Sequence, residues 1–237
     1  MLTPTANLLL ASDLHLDMGH YDLSAQIKAL LSQGERIDAV LLLGDIMEVA
    51  AGSPVAYAKL QVPIDIPVAF VPGNHDFYGG RYGNLLNIWR AQALHSHVRI
   101  LVEEEMVVPS GDGGEIVLLG TPLWSNLEGL GPLVEADLRR TVHKQIADFS
   151  CIFDSDGSAW TALKMIEKFE RAYLFLKKSL SSAALGDGRR RVVGTAIPTT
   201  DSSIRLAKIQ TAAWSSVIPA DTPGAVRANR PCAMCHG

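Results

Sequence analysis

Ser12-Asp13-Leu14-His15-Leu16-Asp17, Gly44-Asp45-Ile46-Met47-Glu48 and Gly73-Asn74-His75-Asp76 decide how this chain is read. Each follows a short apolar run: Leu8 to Ala11, Val40 to Leu43 and Val68 to Val71. A short apolar run closed by Gly or Ser and then by polar residues is the pattern of a buried strand. In open α/β sheets the carboxyl ends of such strands line the crevice where ligands bind. Three strand ends therefore bring Asp13, Asp45, His15, His75 and Asn74 to one edge of a sheet. Carboxylate, imidazole and amide oxygen together suit divalent ions such as Mn, Fe or Zn. The three segments predict a metal centre.

Working outward, the stretches between these strands carry helical patterns. Helices are predicted over Leu23–Ser32 and Pro54–Gln61, with a strand over Ile37–Leu43 between them, which is the signature of stacked β-α-β units. Tyr82 to Leu94 places Leu85, Leu86, Trp89 and Ala93 on one helical stripe. Val98–Val102 and Met106–Val108 read as strands. Ser110-Gly111-Asp112-Gly113-Gly114 reads as a hairpin turn leading into a strand over Ile116–Leu119. Leu133 to Ile146 and Trp160 to Leu180 are amphipathic, the second through Leu163, Ile166, Phe169, Tyr173 and Leu176. Periodicity alone gives the class α/β.

Composition sets the outer bounds. A chain of 237 residues with 48% hydrophobic content can bury one full core as a single domain. A net charge of −4 supplies no general attraction for nucleic acid or membranes. Arg189-Arg190-Arg191 is the one basic run, and it reads as a solvated loop beside Gly186-Asp187-Gly188. Leu8-Leu9-Leu10 is too short for the apolar part of a signal peptide. No apolar stretch approaches the eighteen or so residues of a membrane span, so a cytoplasmic location is expected. Three cysteines cannot close a disulfide framework, and Cys151 is expected as a buried thiol. Cys232-Ala233-Met234-Cys235-His236 matches a c-type haem attachment pattern. It is set aside because no export signal and no distal ligand accompany it.

Asp-x-His, then Gly-Asp, then Gly-Asn-His-Asp, in that order on successive strand tips, resembles the calcineurin-like metallophosphoesterase superfamily, particularly its small bacterial phosphohydrolases. Leu118-Leu119-Gly120-Thr121-Pro122-Leu123-Trp124 continues the likeness, which fades after about residue 193. The resemblance implies a two-sheet β-sandwich flanked by helices and a dinuclear metal centre. It makes Asp13 and His15 ligands of the first ion, Asp45 the bridge and Asn74 a ligand of the second. His75 becomes the acid that protonates the leaving oxygen, with Asp76 steering it. Physically, two divalent ions roughly 3.5–4 Å apart can clamp a phosphoryl group and lower the pKa of a water for in-line attack. A bridging carboxylate offsets the repulsion between the ions, and an amide oxygen adds a ligand without adding charge. His20 follows the first loop and is a candidate substrate contact, as are Tyr78 and Asn126.

The same resemblance leads one to expect three further histidines, in a Val-Thr-His-His strand end and a Gly-His-x-His. Neither is present: after Arg191-Val192-Val193 stands Gly194-Thr195-Ala196-Ile197-Pro198. His95, His97 and His143 lie on helix ends or a charged helix and do not replace them. The expected division is an incomplete metallophosphoesterase-like domain over 1–193 and an irregular tail over 194–237, loosely packed and out of frame. Taking the last base of each codon with the first two of the next, Thr195 to Thr200 permit His-Gly-His-Thr-His-Asp. Ser215 to Thr222 similarly permit Val-Val-Cys-Asn-Pro-Arg-Gly-Tyr. The expected activity is metal-dependent hydrolysis of a small phosphate ester, impaired by the lost ligands. The alternative is a non-catalytic remnant or binding protein built on half of the fold.

Overall fold

A computed structural model describes residues 5–111, 113–127, 146–183, 189–196 and 203–210. Four parallel strands form the backbone of the first sheet: β1 (Thr5–Ser12), β2 (Ala39–Leu43), β3 (Val68–Val71) and β5 (Val98–Ile100). Helices α1 (Leu23–Ser32), α2 (Pro54–Gln61) and α3 (Tyr82–Ala93) connect them in turn. Local chemistry fixes where the first two helices start. The Asp22 carboxylate accepts from the amide of Ala25 at 2.8 Å, and Ser53 Oγ caps α2 with Pro54 in its first turn. The two-residue β4 (Gly80–Arg81) lies just before α3.

A second sheet holds β6 (Glu104–Pro109), β7 (Glu115–Pro122) and β9 (Arg190–Ala196). β6 and β7 are the predicted hairpin, and β9 runs parallel to β7. Between β7 and β9 the chain passes through α4 (Asp148–Cys151), β8 (Ile152–Phe153) and the long α5 (Ala162–Ala183). The sheets face each other across a layer built by Leu8, Leu41, Val71, Leu101, Ile116 and Leu118. Two glycines let them approach: a Cβ at Gly120 would stand 2.3 Å from Leu101 Cβ, and one at Gly194 would stand 2.9 Å from Leu43 Cδ2. On its other face the first sheet buries the larger core against the helices, with Leu9, Leu42, Phe70, Ile27, Val55 and Trp89. This is the sandwich flanked by helices that the resemblance implied. No described helix is long and apolar enough to cross a membrane.

Two expectations about the carboxyl part need correction. The irregular tail expected from residue 194 is strand in two places: β9 runs on to Ala196, and β10 (Ser203–Gln210) pairs antiparallel with β1 along its whole length. Ser203-Ile204-Arg205-Leu206 alternates polar and apolar residues, the period of a strand, which the surrounding prolines obscure. Arg190 and Arg191 are half-buried in β9, so the basic run is not a solvated loop. Arg190 donates to Ser110 Oγ and Arg189 pairs with Glu115 at 3.5 Å, which ties β9 to the hairpin. The predicted helix over Leu133 to Ile146, apart from its last residue, lies outside the described residues. So do the tail beyond residue 210 and its Cys-Ala-Met-Cys-His segment.

Candidate metal centre

The carboxyl ends of β1 and β2 stay paired beyond the sheet. The amides of Asp13, His15 and Leu16 donate to the carbonyls of Gly44, Asp45 and Ile46 at 3.0, 3.1 and 2.9 Å. Both loops accomplish this by turning left-handed at the residues that matter: φ is 53° at Asp13, 42° at His15 and 54° at Asp45. Aspartate and histidine are among the few side-chain-bearing residues that tolerate this region. Such backbone still costs on the order of 1–3 kcal/mol at each site, and it clusters where function requires it.

The turns converge three side chains. One ligand atom from each of Asp13, His15 and Asp45 lies within 4.8 Å of the others. Bonds to a transition ion are about 2.0–2.2 Å, so the three reach one ion with little adjustment. Asp13 Oδ1 and His15 Nδ1 are buried and take no hydrogen bond. An orphaned buried polar atom is costly in a finished fold, and a cation among these donors would satisfy both. Burial, then the neighbouring Asp76 carboxyl, with Asp13 and Asp148 adding to it, push Asp45 well above the usual carboxylate range. Negative groups packed this closely call for positive charge. The donor set fits a divalent ion.

The third strand end closes on this cluster. Gly73 is pressed against Asp45, since a Cβ there would stand 2.1 Å from Asp45 Oδ1. The amide of His75 donates to that same oxygen at 3.0 Å. Asp76 is fully buried, and its carboxyl accepts from the backbone amides of Asp45, Ile46, Met47 and Gly73 at 2.8–3.1 Å. Burial pushes it up to about 7 against the downward pull of those amides. The expected steering of His75 by Asp76 has no direct contact behind it, because both carboxyl oxygens are committed to backbone N–H groups. Asp76 instead binds the β2 loop to the β3 loop and so sets where Asp45 stands.

His75 lies across from His15, with ring centroids 4.8 Å apart and edge to face. Tyr78 stacks on its other side at 4.2 Å. Burial, then the His15 imidazole, lower the His75 pKa to about 4. Its surroundings therefore favour the neutral ring. Asn74 Nδ2 donates to Asp148 Oδ1 at 2.7 Å and to Tyr78 Oη at 3.2 Å, while the Tyr78 hydroxyl donates to Asp148 Oδ1 at 2.6 Å. Tyr78 is 3% exposed, so it is a buried prop and not a surface contact for substrate. Asp148 was missed in the sequence. Its one signal is a lone acid in the apolar-leaning Ala147-Asp148-Phe149-Ser150-Cys151. Cys151 is buried and forms no disulfide among the described residues, as expected.

Among known protein families, residues 6–131 match the calcineurin-like phosphoesterases. The chain belongs to that family. No curated protein matches it. The family match spans all three ligand-bearing loops and ends before Asp148, β9 and β10. At the carboxyl end of β9, where a further histidine is expected, Ala196 packs on Gly44: a Cβ on that glycine would stand 2.4 Å from Ala196 Cβ. The segment Gly194-Thr195-Ala196 thus reaches the rim of the centre without a nitrogen donor. His97 cannot compensate, since its carbonyl accepts from Val68 at the opposite end of β3. His20 is exposed beyond the first loop and makes no hydrogen bond among the described residues.

Proposed function

We propose that this chain is a metal-dependent phosphoester hydrolase whose centre is built by Asp13, His15, Asp45 and Asn74 and is weakened at its second ion. The observation that carries the reading is the convergence of Asp13, His15 and Asp45 with two buried donor atoms left unsatisfied. When bound, divalent ions such as Mn, Fe or Zn polarise a phosphoryl group and supply a water-derived nucleophile at neutral pH. The chain's own residues do the rest. Asp45 holds a central charge that Asp76 keeps in place through the loop backbone. His75, neutral when alone, takes up a proton as the phosphate dianion arrives and passes it to the oxygen of the departing alcohol. Its place between His15 and Tyr78 fixes the ring, so that proton transfer needs no search for geometry. His20, exposed beyond the first loop, is the candidate contact for the substrate's distal part. The substrate is a small phosphate ester and the setting the cytoplasm.

A second reading has its own observation: Ala196 sits on Gly44 where a donor is wanted. On that reading the chain keeps the fold as a non-catalytic remnant or a binding protein. One experiment separates the two. The metal-stripped chain is given Mn2+ with aryl phosphate monoesters and diesters, beside Asp45→Asn. Slow turnover that requires Mn2+ and vanishes in the variant is expected. Turnover unchanged by Asp45→Asn removes Asp45 from the centre, and Mn2+ binding without turnover of either ester favours the binding protein.

A further inference from the structure

The least expected group beside the centre is the Asp148 carboxyl. It is 4% exposed, and no Lys, Arg or His among the described residues pairs with it. A buried carboxylate without a cation is expensive, and an apolar residue of similar size usually serves packing better. All of its hydrogen bonds to other side chains go to Asn74 and Tyr78.

Those bonds form a closed triangle, and with Asp148 ionised only one set of donors satisfies it, although burial raises the Asp148 carboxyl above the usual carboxylate range. A carboxylate can only accept. Asp148 Oδ1 therefore takes a proton bond from the Tyr78 hydroxyl and one from Asn74 Nδ2. The Tyr78 oxygen, having given its hydrogen away, is left to accept from the same Asn74 Nδ2. A flipped amide would set its oxygen against the carboxylate oxygen, so the nitrogen is held on this side. Asn74 Oδ1 is left as the free end, taking no hydrogen bond from any described residue. An amide oxygen can ligate a metal and an amide NH2 cannot. Without an acceptor-only group at 148, the Tyr78 hydroxyl could donate to Asn74 Oδ1 and lock the amide the wrong way round.

The placement of Asp148 is itself fixed. The Gly79 amide donates to the Cys151 carbonyl at 2.8 Å, and β4 pairs with β8 through Gly80 with Ile152 and Arg81 with Phe153. The short helix carrying Asp148 is thereby fastened to the segment that follows Asn74 and Tyr78. We propose that Asp148 is the positioning residue of the second metal site: it orients the Asn74 carboxamide, through a triangle shared with Tyr78, so that the oxygen and not the nitrogen faces the ion. The inference rests on the metal-centre reading and adds to it a residue beyond the part of the chain that matches the family.

The test is Mn2+ titration of the metal-stripped full chain by calorimetry. Asp148→Ala should weaken the second-site affinity about 10- to 100-fold, as loss of a group that orients a ligand does. Asn74→Ala should do the same, and the double variant should bind no worse than Asn74→Ala alone, because both act through one amide. Asp148→Asn brings an NH2 beside its carbonyl oxygen, is no longer acceptor-only, and should lose affinity in the same direction as Asp148→Ala. Losses that add in the double variant, or Asp148→Ala binding as well as the unaltered chain, overturn the role of Asp148 and leave the metal reading standing. No Mn2+ uptake by the unaltered chain overturns both. If Asp148→Ala does not fold, the Asn74 side chain decides by NMR of the unaltered isotope-labelled chain. Amide protons that exchange with solvent far more slowly than those of an exposed asparagine are expected, and exchange as fast as in an exposed asparagine refutes the triangle.

Discussion

Replacing Asp76 with alanine tests whether the motif's last residue is architecture or chemistry. Its carboxyl accepts from four buried backbone amides, those of Asp45, Ile46, Met47 and Gly73. A buried donor stripped of its partner costs about 1–3 kcal/mol. At the low end of that range four such donors cost on the order of 4 kcal/mol, against a typical total stability of 5–15 kcal/mol. Asp76→Asn should hurt nearly as much, since its NH2 would face two N–H donors with nothing to accept them. Urea unfolding followed by circular dichroism reads the loss directly as a lower midpoint. The His75 substitution to alanine, by contrast, removes a half-buried ring whose Nδ1 makes no hydrogen bond, and should cost far less stability. A loss under about 1 kcal/mol for Asp76→Ala would mean that water replaces the carboxyl at no penalty. The loops would then not depend on it, and the reasoning fails.

Mn2+ should raise the thermal unfolding temperature, and a chelator should return it; at about 100 times the dissociation constant the gain is near 2.7 kcal/mol. An unmoved transition at millimolar Mn2+ would contradict the donor set. Gly120→Ala puts a Cβ 2.3 Å from Leu101 Cβ between the sheets and should cost about 1–3 kcal/mol by overpacking, read from the same urea midpoint. Burial pushes Tyr57 up to about 12 and raises Tyr82 as well, and burial with the neighbouring Asp148 raises Tyr78. The fold therefore favours their neutral phenols, a contribution complete below about pH 10, the unfolded value, and lost as pH rises towards the folded one. Alkaline titration by phenolate absorbance should show these three lagging, and all five tyrosines ionising together near pH 10 would refute it.

What could be read in the sequence was local. Leu23–Ser32, Pro54–Gln61 and Val68–Val71 fall where their patterns put them, because Asp22 and Ser53 are real caps and the apolar run of β3 is bounded by Pro67 and Gly73. Asp13, His15 and Asp45 were legible since each directly follows a strand, and strand order alone brings them together. The side-chain direction of Asp76 was not legible, because nothing in Gly73-Asn74-His75-Asp76 says that one acid turns back to the previous loop. Asp148 was less so: its bonds to Asn74 and Tyr78 span 74 and 70 residues, and only the pairing of β4 with β8 brings it there. β10 was hidden by its neighbours, as its alternation is short and prolines surround it.

The left-handed backbone at Asp13, His15 and Asp45 bears on the history of the chain. Each of these positions would be relieved by glycine, which adopts that conformation without strain. Most random substitutions harm a protein, so changes that help stability are the ones drift most readily keeps once function no longer forbids them. A lineage that had long stopped holding an ion would have had three separate downhill steps open to it at the centre. This chain has taken none of them, although its β9 strand end carries no donor. The strain at Asp13, His15 and Asp45 is thus a standing cost in the folded chain that an ion held at the centre would offset.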